Sequence, residues 1–98
     1  MRYGLHIILR FRHRGLERFH RRGDAGGICA QHIRRLRLIL AALETALEPS
    51  DMTLPGLRLH PLHHDRVGQW AVSVSGNWRI VFEFDGRNVT NVDLVDYH

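Results

Sequence analysis

The hydrophobic residues of this chain change from a helical to a strand-like spacing, and this change constrains the fold more than any other feature. Between residues 28 and 47 they recur every three or four positions, which is typical of a helix with one buried face. From residue 70 onward they alternate along the chain, which is typical of β-strands. Helices followed by strands predict an α+β fold, with two N-terminal helices packed on a small antiparallel sheet. The chain has 98 residues, so we expect one domain over residues 1–98.

Glycine and proline residues mark the expected ends of these elements. Gly23 ends a first helix over residues 12–22, and Pro49 follows a second helix over residues 28–47. Asp85-Gly86 is a strong hairpin signal. The other predicted elements are extended and cover residues 5–11, 57–60, 70–74, 78–84 and 89–95. The last three of these form a meander, to which residues 5–11 add a short N-terminal strand.

Arginine supplies all of the basic charge and is concentrated in the first half of the chain. The formal net charge is +4, and all 14 basic residues are arginine. Residues 1–50 hold ten arginines against four acidic residues, a balance of +6, whereas residues 51–98 hold four against six, a balance of −2. A basic half favours a polyanionic partner such as nucleic acid, and a solvated arginine-rich face is the equally supported alternative. The absence of lysine excludes Schiff-base chemistry.

Histidine and cysteine chemistry receives weaker support from the sequence. Three histidines, His60, His63 and His64, cluster in one segment. Because His63 and His64 are adjacent, they would point apart on an extended chain, and we expect no metal site. Cys29 lies near a helix start, where a thiol is activated, but cysteine is usually buried, so we expect a structural role. A single cysteine cannot form a disulfide within the chain and suits a reducing cytoplasm.

Arg79 is the basic residue best placed for chemistry in the strand half of the chain. Alternation puts it on the opposite face of its strand from Trp78 and Ile80, and therefore away from the core. An arginine in this position is a good phosphate ligand, because its planar guanidinium donates two hydrogen bonds at once. The alternative is a structural salt bridge to Glu83 or Asp93.

The last three residues, Asp96, Tyr97 and His98, combine a carboxylate, a phenol and an imidazole. With the predicted hairpin, Arg79 pairs near residues 92–94, so these groups lie about 10 Å from it at strand spacing. Histidine is the side chain best suited to proton transfer near neutral pH, which makes this group a catalytic candidate. A frayed chain end is the alternative.

Four ordered blocks of sequence resemble the HigB family of plasmid-maintenance killer toxins. Residues 11–19 resemble the family's opening "FxHKGLExFF". Residues 57–62 and 65–70 resemble "xRLHPLKGDRxGQW". Residues 75–80 match "xxNWRIxF", and residues 92–98 match the ending "DVxxxDYH". The likeness covers nearly the whole chain from residue 11 to residue 98.

The resemblance implies a toxin of the RelE/ParE superfamily from a type II toxin–antitoxin system. Such toxins are small α+β domains, and those of the HigB family act as ribosome-dependent endoribonucleases that cut mRNA in the A site and inhibit translation. A HigA-type helix-turn-helix antitoxin neutralises each of them, and the pair binds operator DNA through the antitoxin. No metal or cofactor takes part. Arg79 occupies the position of the family's phosphate-binding arginine. The positions of Asp96, Tyr97 and His98 match those of the family's C-terminal catalytic group.

The chain departs from the family pattern at two places. Lysine and glycine often follow "LHPL", whereas this chain has His63-His64. His63 would then stabilise the cleaved phosphate with a weaker, pH-dependent charge. Residues 1–7 precede the usual start of the family and form a possible N-terminal extension. We expect the arginines of the first half to contact ribosomal RNA, namely Arg12, Arg14, Arg18, Arg21, Arg22, Arg34, Arg35 and Arg37.

Three other functions compete with the ribonuclease interpretation. A toxin of the same fold could act on DNA gyrase, as ParE-like toxins do, although the Asp96-Tyr97-His98 ending argues against this. A non-catalytic RNA-binding module would explain the basic half but would need neither Arg79 nor His98. A histidine metal protein is the weakest of the three, for the reason given above.

Overall fold

Two helices and a four-stranded antiparallel sheet make up the fold in the computed structural model, which describes residues 8–97. The helices are α1 (Arg14–Arg22) and α2 (Ile33–Thr45). The strands are β1 (His60–Pro61), β2 (Gln69–Ser75), β3 (Trp78–Asp85) and β4 (Asn88–Asp96), and they pair in chain order. The predicted α+β class is confirmed, as is the meander, which is formed by β2, β3 and β4. Among residues 8–97, no helix has the length and apolar character to cross a bilayer.

Helix α1 begins and ends at residues whose chemistry favours helix ends. His13 is the N-cap, and its Nδ1 accepts a hydrogen bond from the Leu16 N–H at 2.9 Å. Gly23 follows the last turn in the left-handed conformation, with φ 73°, and donates its N–H to carbonyls of that turn. The helix predicted over residues 12–22 is therefore confirmed, and it begins at Arg14.

Helix α2 is shorter at both ends than the predicted range 28–47. A 3₁₀ turn over Ala30–His32 precedes it, and Ala46 follows it in the extended conformation. Leu47, which the apolar spacing placed on the buried stripe, is 37% exposed. The spacing predicted the helix but not its ends, because apolar residues in the flanking turns continue the same pattern. The buried residues of α2 are Leu36, Ile39, Leu40 and Leu43.

The sheet has two unlike faces, which decide where chemistry can occur. The helix face carries Val72, Ile80 and Phe82, which form one buried core with the apolar side chains of α1 and α2. The outer face carries the alternate residues of each strand. Register brings Arg79 between Ser73 of β2 and Val95 of β4, so Arg79 lies on the outer face as predicted. Along this face lie Gln69, Ala71, Ser73, Arg79, Val81, Glu83, Asp93 and Val95.

The N-terminal segment runs beside β4 and makes isolated parallel bridges there. Ile8 bridges to Val89, and Phe11 bridges to Val92. Within residues 8–11 the predicted short strand forms only these isolated bridges and is not one of the four strands of the sheet. Its residues 5–7 lie outside the described part of the chain, as does the expected extension over residues 1–7. The fourth strand of the sheet is instead β1, which lies on the opposite edge and overlaps the extended piece predicted over residues 57–60 only at His60.

Candidate active site

Arg79 is anchored by backbone carbonyls at the turn between β2 and β3. Its Nη1 donates to the Gly76 carbonyl at 2.7 Å and to the Trp78 carbonyl at 3.0 Å. The side chain is half-buried, and among residues 8–97 its Nε and Nη2 have no partner. A guanidinium has five N–H donors, so the anchored group keeps a free edge of three for a ligand. That edge can donate two parallel hydrogen bonds to a phosphate.

The alternative role of Arg79 in a structural salt bridge does not fit this geometry. No ion pair joins Arg79 to an acidic side chain within residues 8–97. Glu83 instead accepts a hydrogen bond from Gln69 at 3.1 Å, and Asp93 accepts one from the Leu94 N–H at 2.9 Å. The charge of Arg79 is therefore not neutralised by these two carboxylates.

The C-terminal end of β4 reaches the same turn as Arg79. Asp96 pairs with Trp78, and the Tyr97 N–H donates to the Asn77 carbonyl at 2.8 Å. The structure thus brings Arg79, Asp96 and Tyr97 to one end of the sheet, as the predicted hairpin required, but alternation puts Asp96 with Trp78 on the face opposite to Arg79. By alternation from Val95, Tyr97 falls on the outer face with Arg79. His98 lies outside the described residues.

The register of β3 and β4 differs from the expected one by a single residue. Arg79 lies opposite Val95, whereas the sequence placed it opposite residues 92–94. A bulge between Val81 and Glu83 causes the shift, and Asn91 adopts the left-handed conformation there, with φ 52°. The bulge moves Asp96 and Tyr97 closer to Arg79 along the sheet.

His63 lies in the loop over residues 62–68 that joins β1 to β2. It precedes a short 3₁₀ turn over His64–Arg66, and the side chains of His63 and His64 are both exposed. His60 is on β1, where its Nδ1 lies 2.9 Å from the Arg58 carbonyl. In the described part of the chain, no three or more histidine, cysteine or acidic side chains come together as a metal site would require. Cys29 is exposed, so the expectation that it is buried was wrong.

Arg66 is a candidate site residue to which sequence reasoning gave no role. Its Nη1 donates to the phenol oxygen of Tyr97 at 3.2 Å and so connects the 62–68 loop to the end of β4. The available signal was its position inside the block over residues 65–70, in which the family pattern also has arginine. Periodicity gave no signal, because the loop follows neither a helical nor a strand pattern.

The arginines of α1 and α2 form a second basic surface, on the other side of the sheet from Arg79. We call the arginines of α1 and α2, together with Arg12, the helix-side arginines. Some are already engaged: Arg21 pairs with Glu17 at 3.0 Å, and Arg18 lies 3.6 Å from Asp24. Arg35 differs from the rest because it is half-buried; its Nη2 donates to the Gly56 carbonyl, as that of Arg21 does to the Ile8 carbonyl at 3.2 Å. The exposed members are Arg12, Arg14, Arg18, Arg21, Arg22, Arg34 and Arg37.

The fold and the site define a small α+β domain with an anchored arginine and a phenol at one end of the outer sheet face. This arrangement suits binding of a phosphodiester. The family model described as RelE-like toxin of type II toxin-antitoxin system HigB matches residues 9–98, and the chain belongs to this family. Endoribonuclease HigB of Proteus vulgaris is 36% identical over 92 residues, which cover 94% of this chain and 100% of that protein. The family resemblance inferred from the four sequence blocks is confirmed.

Proposed function

We propose that this chain is the endoribonuclease toxin of a type II toxin–antitoxin pair and that it cuts mRNA in the ribosomal A site. The observation that carries the proposal is the guanidinium of Arg79, whose Nη1 is fixed by two carbonyls while its Nε and Nη2 have no partner among residues 8–97. Membership of the toxin family and similarity to Endoribonuclease HigB support the reaction class. Cutting mRNA in the A site inhibits translation and thereby accounts for toxicity.

The proposed reaction is transphosphorylation at an RNA phosphodiester. The 2′-oxygen forms a bond to phosphorus while the bond to the 5′-oxygen breaks, which leaves a 2′,3′-cyclic phosphate and a 5′-hydroxyl. A base takes the proton of the 2′-hydroxyl, and the leaving 5′-oxygen receives a proton. Negative charge grows on the phosphate oxygens, and a cation already fixed in place stabilises it without reorganisation. Arg79 is that cation in our proposal.

The C-terminal group supplies proton transfer and substrate contact in this scheme. His98 transfers the proton, an assignment that rests on the chemistry of histidine and on the family resemblance. Asp96 orients His98 or favours its charged form, as a neighbouring carboxylate does for an imidazole. Tyr97 stacks on the substrate or forms a hydrogen bond with it. The positions of Asp96 and Tyr97 beside the β2–β3 turn support these roles.

His63 takes the place of the family's lysine and stabilises the cleaved phosphate when it is protonated. Because an imidazole loses its charge between about pH 5 and 8 while lysine keeps its charge, this contribution falls as the pH rises. We therefore expect His63→Lys to raise the cleavage rate at pH 8 by about 3- to 10-fold and to leave it nearly unchanged at pH 5.5.

His64→Lys is the matched control for this prediction, because it adds the same charge at the neighbouring exposed position of the same loop. Rates of mRNA cleavage on ribosomes are measured for both variants from pH 5.5 to 8. An equal gain from His64→Lys would mean that general charge attraction, and not the position of His63, explains the effect.

The helix-side arginines bind ribosomal RNA in this proposal, while the outer face meets the mRNA. Their exposure and their location on the opposite side of the sheet from Arg79 support this division. Phosphate contacts release counterions, so such binding weakens steeply with salt. Arg35 remains in the proposed ribosome-binding set as its half-buried member, with its Nη2 donating to the Gly56 carbonyl.

The double substitution of Arg14→Gln and Arg34→Gln is expected to weaken ribosome binding and its dependence on salt. Both side chains are exposed. Loss of two phosphate contacts makes the plot of log affinity against log salt less steep by about 1 to 2. Co-sedimentation with ribosomes over a salt series measures this slope. The pair Arg58→Gln and Arg87→Gln removes the same charge from two exposed positions outside the helices, and an equal change in slope there would contradict the assignment.

A HigA-type helix-turn-helix antitoxin is the proposed protein partner, with operator DNA bound through it. Membership of a type II toxin family supports an antitoxin that binds this chain directly. Ribosomes as the site of action support a cytoplasmic location. No cofactor has a step in the proposed reaction.

The experiment that tests the function is mRNA cleavage on stalled ribosomes, with and without the ribosomes. We expect cuts aligned with codons in the A site, made only when ribosomes are present. Cuts in free RNA would show that cleavage does not require ribosomes. Binding to ribosomes without cuts would favour a non-catalytic RNA-binding module, and a halt in DNA replication before translation would favour a gyrase-directed toxin.

A further inference from the structure

The 62–68 loop connects β1 to β2 at one end of the sheet, yet its Arg66 side chain contacts the opposite end. It leaves β1 beside Gln69, where the Leu62 N–H donates to the Gln69 carbonyl at 2.9 Å. Gln69 pairs with Glu83, at the end of β3 away from Arg79. The loop nevertheless reaches Tyr97, at the Arg79 end of the sheet, through the side chain of Arg66. This hydrogen bond therefore ties the loop to the far end of the sheet.

The chemistry of this hydrogen bond fixes how the Tyr97 phenol can act. A guanidinium only donates, so the phenol oxygen accepts from Arg66. The phenol's own O–H then points away from Arg66 and is available to donate to a ligand. Arg66 itself is exposed, and its other N–H groups have no partner among residues 8–97.

We propose that Arg66 is a positioning residue, which holds the Tyr97 phenol so that its O–H donates to the same RNA phosphate that Arg79 binds. This inference rests on the proposed ribonuclease function. Among residues 8–97, the other hydrogen bond of Tyr97 runs from its backbone N–H to the Asn77 carbonyl, and it does not fix the direction of the phenol. The contact from Arg66 restricts the phenol to one direction, and a fixed donor is more effective in a transition state than a mobile one.

The test is a double-mutant cycle on the rate constant of mRNA cleavage at saturating ribosomes. Arg66→Gln is expected to lower this rate constant by about 10-fold, the usual effect of one hydrogen bond from a charged group. Arg66→Lys is expected to recover part of the loss, since it still donates. In the Tyr97→Phe background, Arg66→Gln is expected to have no further effect, because the accepting oxygen is gone. Arg87→Gln, at an exposed arginine in the β3–β4 turn, is the control for loss of one charge.

Two results would overturn the inference. One is an unchanged rate constant for Arg66→Gln. The other is an equal loss from Arg66→Gln with tyrosine or phenylalanine at position 97, because Arg66 would then act independently of the phenol. Failure of the proposed function is a separate result, in which the unmutated protein makes no cuts on ribosomes. Thermal unfolding of each variant shows whether the domain remains folded.

Discussion

Arg79→Ala is expected to lower the rate of mRNA cleavage on ribosomes by about 10²- to 10³-fold, the range seen when one fixed donor is removed from a charged transition state. The effect is large because the guanidinium is fixed before substrate arrives. Two carbonyls hold Nη1, so the free edge needs no reorganisation when charge develops on the phosphate. Cleavage by purified protein on stalled ribosomes, followed by primer extension, measures the rate.

Arg79→Lys separates charge from geometry at the same position. Lysine keeps the positive charge but has no planar fork, so it cannot bond the turn carbonyls and also make two parallel bonds to phosphate. We expect it to recover only a small part of the lost rate. Arg87→Ala is the matched control for loss of an exposed arginine, taken from the β3–β4 turn. A folded Arg79→Ala protein that cuts at the rate of the unmutated protein would contradict the assignment.

His98→Gln is expected to lower the cleavage rate by about 10²- to 10⁴-fold, the usual contribution of a general acid or base. Glutamine is polar and close in size but cannot transfer a proton near neutral pH. The unmutated protein is expected to show a pH-dependent rate between about pH 5 and 8, the range in which histidine titrates. If His98 is the proton-transfer group, this dependence is much reduced in His98→Gln.

The pH profile distinguishes proton transfer from a structural role of His98. His20→Gln is the control, since His20 lies in α1 and pairs with Glu44 at 3.0 Å, away from the outer face. It tests whether loss of any histidine changes the profile. A profile for His98→Gln that keeps the shape of the unmutated one, at a lower rate, would show that another group transfers the proton.

The sequence predicted the order and type of the elements because local patterns specify them. Alternation predicted β2, β3 and β4, and it also placed Arg79 on the outer face. The bulge in β4 was not predicted, and it becomes evident in the burial pattern of the strand. Val89 and Val92 are both fully buried yet three residues apart, which is one more than alternation allows. The extra residue changes the partner of Arg79 by one position.

Other features could not be predicted because they depend on contacts between distant segments. The bond from Arg66 to Tyr97 joins residues 31 positions apart, and no local pattern describes the loop that carries Arg66. The half-buried Arg35 appeared equivalent to its exposed neighbours until the structure placed the Gly56 carbonyl beside it. Burial of Cys29 was inferred from residue type alone, and the loop before α2 leaves it exposed.

The anchor of Arg79 consists of peptide oxygens, which neither gain nor lose protons in the range in which proteins stay folded. Acidification therefore cannot release this arginine, as it would if a carboxylate held it. An inorganic anion bound at the guanidinium edge should remain bound when the medium is changed from neutral to mildly acidic. Any acid sensitivity of the toxin must then originate in other groups of the site. The charge and position of Arg79 are independent of pH, whereas the charges of those groups change with it.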